Sequence, residues 1–273
     1  MPSLFDRAET LLLSTDVDTK VEVSLQAAAD WRENRLDLRR SREPLPIDAV
    51  RLPDRPEQVE PRQLRKRKLT SEQGRIALLH AVAHIEFSAI QLAWDHLYRF
   101  SGMPEPYYGD WLGVAEDEAR HFRIIRERLR TLGADYGDLP AHGGLWGLAK
   151  ETAYDVLARM ALLPRFMEAR GLDVTPGIMQ RLEVSGDPES VACLQVILDE
   201  EVGHVALGSR WFRWECARRG LAPEPTYFDL VERHLRGQIR GPFNDELRRR
   251  AGFSDDELAK LRRLGQADDS HPE

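Results

Sequence analysis

Residues 116–122 read EDEARHF. Residues three apart share one face of a helix, so Glu118 and His121 stand together. Their neighbours on that face are Ala115, Phe122, Ile125 and Leu129. A carboxylate and an imidazole thus interrupt an apolar stripe. Residues 200–205, EEVGHV, repeat the device with Glu201 and His204, in line with Leu194, Ile197, Leu198, Val205 and Gly208. Two further helical stretches each carry one acid on the apolar face. Glu86 lies among Leu79, Val82, Ala83, Ala89, Ile90 and Ala93, and Glu168 lines up with Leu157, Ala161, Pro164 and Leu172.

A bare buried carboxylate costs several kcal/mol, or shifts its pKa until it is neutral. Four in one core repel one another unless a cation lies between them. The spacing supports a common site. Glu118 follows Glu86 by 32 residues, and Glu201 follows Glu168 by 33. The chain therefore holds two matching helix pairs, each offering Glu and then Glu-x-x-His. Glu86 lies 15 residues before the Ser101 turn and Glu118 lies 14 after Pro104. At about 1.5 Å per residue both sit roughly 21–23 Å from that turn, at one level of an antiparallel pair. The second pair is less regular, because Gly171 and Pro176 follow Glu168 closely.

These stretches define four long helices. The first opens at Thr70, with Gln73 completing a capping box, and stops at Ser101-Gly102. The second follows Pro104 and ends at Gly133. The third covers about 145–170, with a kink expected at Pro164. GLDVTPG is expected to interrupt it, and Thr175-Pro176 to start a short helix. The fourth starts at Asp187-Pro188 and ends at Gly220. Residues 3–35 read as one or two helices broken near STDVD, and 36–69 as an irregular Pro- and Arg-rich wrapping segment. Short helices are expected at about 225–236, 242–250 and 254–264, the last with a Ser254/Glu257 capping box. The expected fold class is all-α: a four-helix bundle with extra N-terminal and C-terminal helices, in segments 1–69, 70–221 and 222–273.

Glu86, Glu118, His121, Glu168, Glu201 and His204 together form the ligand set of carboxylate-bridged dinuclear iron or manganese sites. Structural zinc usually closes with four Cys or His ligands, which are not offered here. Asp117 and Glu200, each preceding a ligand, are candidates to orient a ligating histidine through its other ring nitrogen. His80 and His84 point away from Glu86 and read as packing or hydrogen-bonding histidines. Tyr154 lies on the side of Glu168, as a core or site-lining tyrosine. Arg165, one turn before Glu168, is placed to meet a buried acid, an anionic substrate or solvent.

Composition narrows the class. Hydrophobic residues make up 42% of the chain, enough for a sizeable core, and little Val/Ile/Thr/Tyr alternation favours sheet. The net charge of -7 argues against nucleic acid or membrane as a bulk-charge partner. Basic blocks stand at 62–68, RQLRKRK, and at Arg248, Arg249 and Arg250. Cys193 and Cys216 form no CxxC motif, so neither a disulfide framework nor a thiolate zinc site is expected. No signal peptide is read at the N-terminus, and no apolar run of about 20 residues is expected to cross a bilayer. The default compartment is the cytoplasm.

At these residues the chain resembles the ferritin-like superfamily of di-iron carboxylate proteins. More narrowly, it resembles a bacterial ferritin-like family of unknown function related to the di-iron tRNA hydroxylase that acts on isopentenyl-adenosine derivatives. The stretches that carry this are HAVAHIEFSAIQLAWD, EDEARHF, MEARGLDVTPG, DEEVGHVALGSRWF and GPFNDELRRRAGF, over about 80–253. The resemblance implies that Glu118 and Glu201 bridge two metals, that Glu86 and His121 complete one, and that Glu168 and His204 complete the other.

The expected function is an O2-dependent oxidase or oxygenase with two metal ions, iron first and manganese as the alternative. Its partners would be O2, a small organic substrate and an electron-donor protein, in a monomer or small homo-oligomer. The alternatives are iron or manganese binding or storage without an organic substrate, a structural metal in a binding scaffold, and a tRNA-modifying hydroxylase. The last draws on the 62–68 block and on Arg236, Arg240, Arg248 and Arg249 as contacts for an anionic substrate. About 70 added N-terminal and 50 C-terminal residues, beyond the compact bundle of a storage ferritin, favour a pocket or lid and hence the enzyme.

Overall fold

A computed structural model describes residues 1–65, 67–235 and 237–269. The regular elements among the described residues are all helices, with two isolated bridges, Ser3 to Asp37 and Gln58 to Ala141, in place of strands. The helices are α1 (Leu4–Leu13), α2 (Val17–Arg32), α3 (Glu72–Arg99), α4 (Glu105–Thr131), α5 (Gly144–Glu151), α6 (Val156–Leu162), α7 (Ala169–Val184), α8 (Pro188–Arg219), α9 (Pro223–Leu235), α10 (Asp245–Arg250) and α11 (Asp255–Asp269). Leu163–Glu168, between α6 and α7, is a π-helical stretch. The chain forms two compact units, 1–153 with 181–193, and 154–180 with 194–269.

In the first unit, α3 and α4 form the central antiparallel pair, α1 and α5 pack on α3, and α2 packs on α4. The helix α3 starts one residue later than expected. Ser71, not Thr70, is the cap, and its hydroxyl accepts from Gly74 N at 3.1 Å. By length and hydropathy α3 could span a membrane, contrary to the expectation that no run would. However, 61% of the apolar window is buried within the protein, which suits a core helix equally well. The wrapping segment is held to the helices by polar contacts. Tyr98 Oη accepts from Leu45 N at 2.8 Å, and Lys20 Nζ donates to Gln91 Oε1 at 2.9 Å and to Arg51 O at 3.3 Å. Leu52, Pro53 and Pro56 line a small pocket with His84, Phe87 and Trp146.

The expected third helix is divided. Thr152 ends α5, its hydroxyl donating to Leu148 O at 2.7 Å, and Asp155 caps α6 by accepting from Leu157 N at 3.0 Å. Pro164 produces the π stretch rather than a plain kink. A proline removes one helical donor and crowds the preceding turn, and a widened turn relieves both. GLDVTPG does not break the chain: α7 runs continuously through Pro176.

In the second unit α6 packs on α9. Pro164 itself presses on α8. A Cβ at Gly208 would lie 2.6 Å from Pro164 Cβ and 2.7 Å from its Cγ, so only glycine fits there. The Ser254/Glu257 box at the start of α11 forms as expected, with Glu257 N donating to Ser254 Oγ at 3.1 Å and Ser254 N donating to Glu257 Oε2 at 2.8 Å.

Candidate metal centre

In the first unit, Glu86 on α3 and Glu118 and His121 on α4 converge at one level. Each offers an atom within 4.8 Å of the others. His121 Nδ1 is 3.3 Å from Glu86 Oε2 and 3.5 Å from Glu118 Oε2. All three are buried, with exposures of 5%, 1% and 0% for Glu86, Glu118 and His121. The surrounding residues are apolar: Ala83, Ile90, Ala115, Ala119, Phe122 and Ile125 are buried on the same two helices. The register read from the sequence, one carboxylate on each side of a short turn at equal depth, is thus met.

Two carboxylates and an imidazole in such a place interact strongly. Burial pushes the Glu86 carboxyl up to about 8, and the neighbouring Glu118 pushes the same way, while His121 partly offsets both. Burial alone would pull the His121 imidazole down. Hydrogen bonding to Glu118 and to Glu86 outweighs it, so His121 is held protonated well above its ordinary value. The group therefore recruits a positive charge. In chemical terms, two hard oxygen donors and one imidazole suit a divalent transition metal.

In the second unit, Glu201 and His204 lie one turn apart on α8, both buried, with His204 Nδ1 3.2 Å from Glu201 Oε2. Glu168 closes the π stretch and is half-buried. Gly171, one turn further on, lies where a Cβ would be 3.9 Å from Glu201 Cγ. The segment carrying Glu168 therefore runs beside Glu201.

Asp117 is half-buried, and its carboxylate accepts from Arg120 Nη2 at 2.5 Å; Glu200 is half-buried on α8. Tyr154 requires correction. It is 67% exposed, and its ring stacks on His234 at 6.3 Å, so it is not a core tyrosine. His80 and His84 serve packing and hydrogen bonding. His80 Nε2 accepts from Gly137 N at 3.0 Å, His84 Nδ1 lies 3.0 Å from Tyr136 Oη, and both rings stack on Tyr136.

The family model for proteins of unknown function (DUF455) matches residues 13–259. The chain belongs to this family. An uncharacterized protein of Haemophilus influenzae (strain ATCC 51907 / DSM 11121 / KW20 / Rd) is 40% identical over 213 residues, covering 76% of this chain and 74% of that one. No solved structure matches the chain.

Two buried charged groups of this DUF455 protein, Lys20 and Arg248, escaped the sequence reading, and a third, Arg165, was left open. Lys20 gives no local signal, since its acceptors Arg51 and Gln91 are far along the chain. Arg248, expected in a basic block as a contact for an anionic substrate, is buried and paired with Asp173. Arg165 was ambiguous and proves fully buried against Glu257. Arg249 pairs with Asp255, so two of the arginines expected to meet an anionic substrate have partners within the protein. Lys66, within the 62–68 block, and Arg236 lie outside the described residues.

Proposed function

We propose that this chain is a ferritin-like dinuclear metal protein, iron-loaded by preference, that uses O2 to oxidise a small organic substrate. The observation that carries this reading is the buried Glu86, Glu118 and His121 group, whose ligand atoms converge within 4.8 Å in an apolar surrounding. Burying two acids beside one base is costly to the folded state and serves no packing purpose. A divalent cation removes that cost, so the residues fit such an ion.

Glu86, Glu118 and His121 would hold one ion, and Glu168, Glu201 and His204 the other. The second set rests on the repeated Glu and Glu-x-x-His pattern and on the burial of Glu201 and His204. When bound, a pair of redox-active ions supplies the electrons for reaction with O2. The protein residues have other tasks. The carboxylates would neutralise the charge of the ions, and Asp117 and Glu200 would steady neighbouring groups. The apolar stripes of α3 and α4 keep bulk water from the site.

The test is anaerobic reconstitution with ferrous iron, followed by exposure to O2 under spectroscopic observation. This reading expects a rapid oxidation that consumes O2 in proportion to protein. An iron-loaded protein whose spectrum is indifferent to O2 would contradict it.

A further inference from the structure

Two buried arginines tie the C-terminal extension to the π stretch and to α7. Arg165 lies inside the π stretch, three residues before Glu168, and is fully buried. Its Nη2 donates to both carboxylate oxygens of Glu257, at 2.7 and 2.8 Å, and its Nε donates to Ser209 Oγ at 3.2 Å. The guanidinium lies 4.4 Å from the Tyr227 ring centroid, 4.5 Å from Phe253 and 5.3 Å from Phe212. Charge, hydrogen bonding and ring contacts thus fix one side chain from several directions. Glu257 is also the residue that closes the capping box of α11. The start of α11 is therefore tied directly to the π stretch.

A second tie lies beyond Glu168. Asp173 on α7 accepts from Arg248 Nε at 2.9 Å and Nη2 at 2.7 Å, from Asn244 N at 2.8 Å and from Arg170 Nη1 at 2.9 Å. Arg170 Nη1 also donates to Arg240 O at 2.7 Å and Pro242 O at 2.9 Å. Glu168 is therefore bracketed, with Arg165 on one side and Arg170 and Asp173 on the other. All three are held by residues 240–257.

A π stretch is a weak element by itself. Its turn is wide, its hydrogen bonds are poorer than those of an α-helix, and Pro164 supplies no donor. It also changes the angular phase between the residues before and after it, so its geometry sets where Glu168 is presented. A ligand on such a segment needs outside support to be held within the tolerance that a metal site demands.

We propose that Arg165 and Asp173 are positioning residues for Glu168, and that the C-terminal extension, through Glu257 and Arg248, is the brace that fixes this ligand for the second metal ion. The inference rests on the dinuclear reading above. It assigns the extension to the metal centre, where the GPFN segment and the arginine block had no role.

The test uses the full chain with two variants. Glu257→Gln keeps shape and one acceptor but removes the charge. Phe253→Leu leaves the ion pair and removes one ring, and so guards against the case in which the first variant fails to fold. Each is titrated anaerobically with manganous and with ferrous ion, and hydrogen exchange is followed by mass spectrometry. Exchange at 163–168 should rise above that of the rest of the chain, and the second ion should bind about 10-fold more weakly or worse, as for other residues that orient ligands. The first ion should bind within about 3-fold of wild type, since Glu86, Glu118 and His121 lie on other helices. A merely structural role would weaken both ions together. Equal weakening of both ions, or an unchanged second ion while wild type takes up two, would overturn the positioning role alone. Wild type that takes up no second ion would instead overturn the dinuclear reading and, with it, this assignment.

Discussion

His121 Nδ1 stands 3.3 Å from Glu86 Oε2, bridging from α4 to α3. This contact offsets charge in the core, because hydrogen bonding to Glu118 and Glu86 holds the His121 imidazole protonated well above its ordinary range. A metal would displace that proton.

The relationship separates binding from stability. Glu118→Gln keeps the size of the side chain and removes a buried negative charge. It removes a ligand of the first ion and should abolish loading with two ions, while the melting temperature of the metal-free protein stays level or rises. His80→Ala and His84→Ala should do the reverse. They remove the acceptor for Gly137 N and the Tyr136 contact, so each should lower stability by about 1–3 kcal/mol and leave metal stoichiometry unchanged. Calorimetry beside metal analysis of the same samples checks both. Loss of metal in the histidine variants as complete as in Glu118→Gln would refute the placement of the ligands on their helices.

Lys20 gives a pH-dependent prediction. Burial pulls its amine down to about 7 from 10.5. Between these values the unfolded chain binds a proton that the folded chain does not, so stability rises with pH across that window. Below about 7 both states are protonated and the full penalty for the buried charge is present. Lys20→Met has no such proton. It loses the hydrogen bonds to Gln91 and Arg51 at every pH, so its stability relative to wild type should be most favourable near pH 6. It should worsen by a few kcal/mol, an order-of-magnitude figure, by pH 10. Denaturant unfolding of both proteins at several pH values measures the difference. A difference that does not vary with pH would contradict the buried neutral amine.

Gly208→Ala tests the contact at the π stretch. The added methyl would meet Pro164 at 2.6 Å, and forcing it in should cost about 1–3 kcal/mol. The ring is part of the backbone and cannot swing aside, so α8 must move. Thermal unfolding should show the loss. A variant as stable as wild type would mean that the Pro164 turn is looser than described.

Much of this fold was legible because periodicity and caps are local. The Ser101-Gly102 turn, the Asp187-Pro188 start and the Ser254/Glu257 box all mark real helix ends. The equal depth of Glu86 and Glu118 followed from counting residues on each side of one turn. The failures have a common cause in tertiary packing. A proline reads as a break, yet Pro176 sits within α7 and Pro164 within a π stretch. Asp155 cuts the third helix because its side chain caps α6, and no apolar period announces that. The burial of Arg248 went unread and that of Arg165 stayed one alternative among three, because the acids that bury them lie 75 and 92 residues away. Tyr154 had the right helical phase for a core residue, but it lies just before the Asp155 cap, where the phase count no longer holds.

The central claim is that each chain binds two ions at buried carboxylates and stops there. It is tested most directly by loading the full chain anaerobically with ferrous iron, admitting O2, removing free metal and counting iron per chain by elemental analysis over repeated additions. The account predicts a plateau near two irons per chain, in a monomer or small oligomer by solution scattering. One zinc, no retained metal, or steady uptake of tens of irons into a hollow multimer would contradict it.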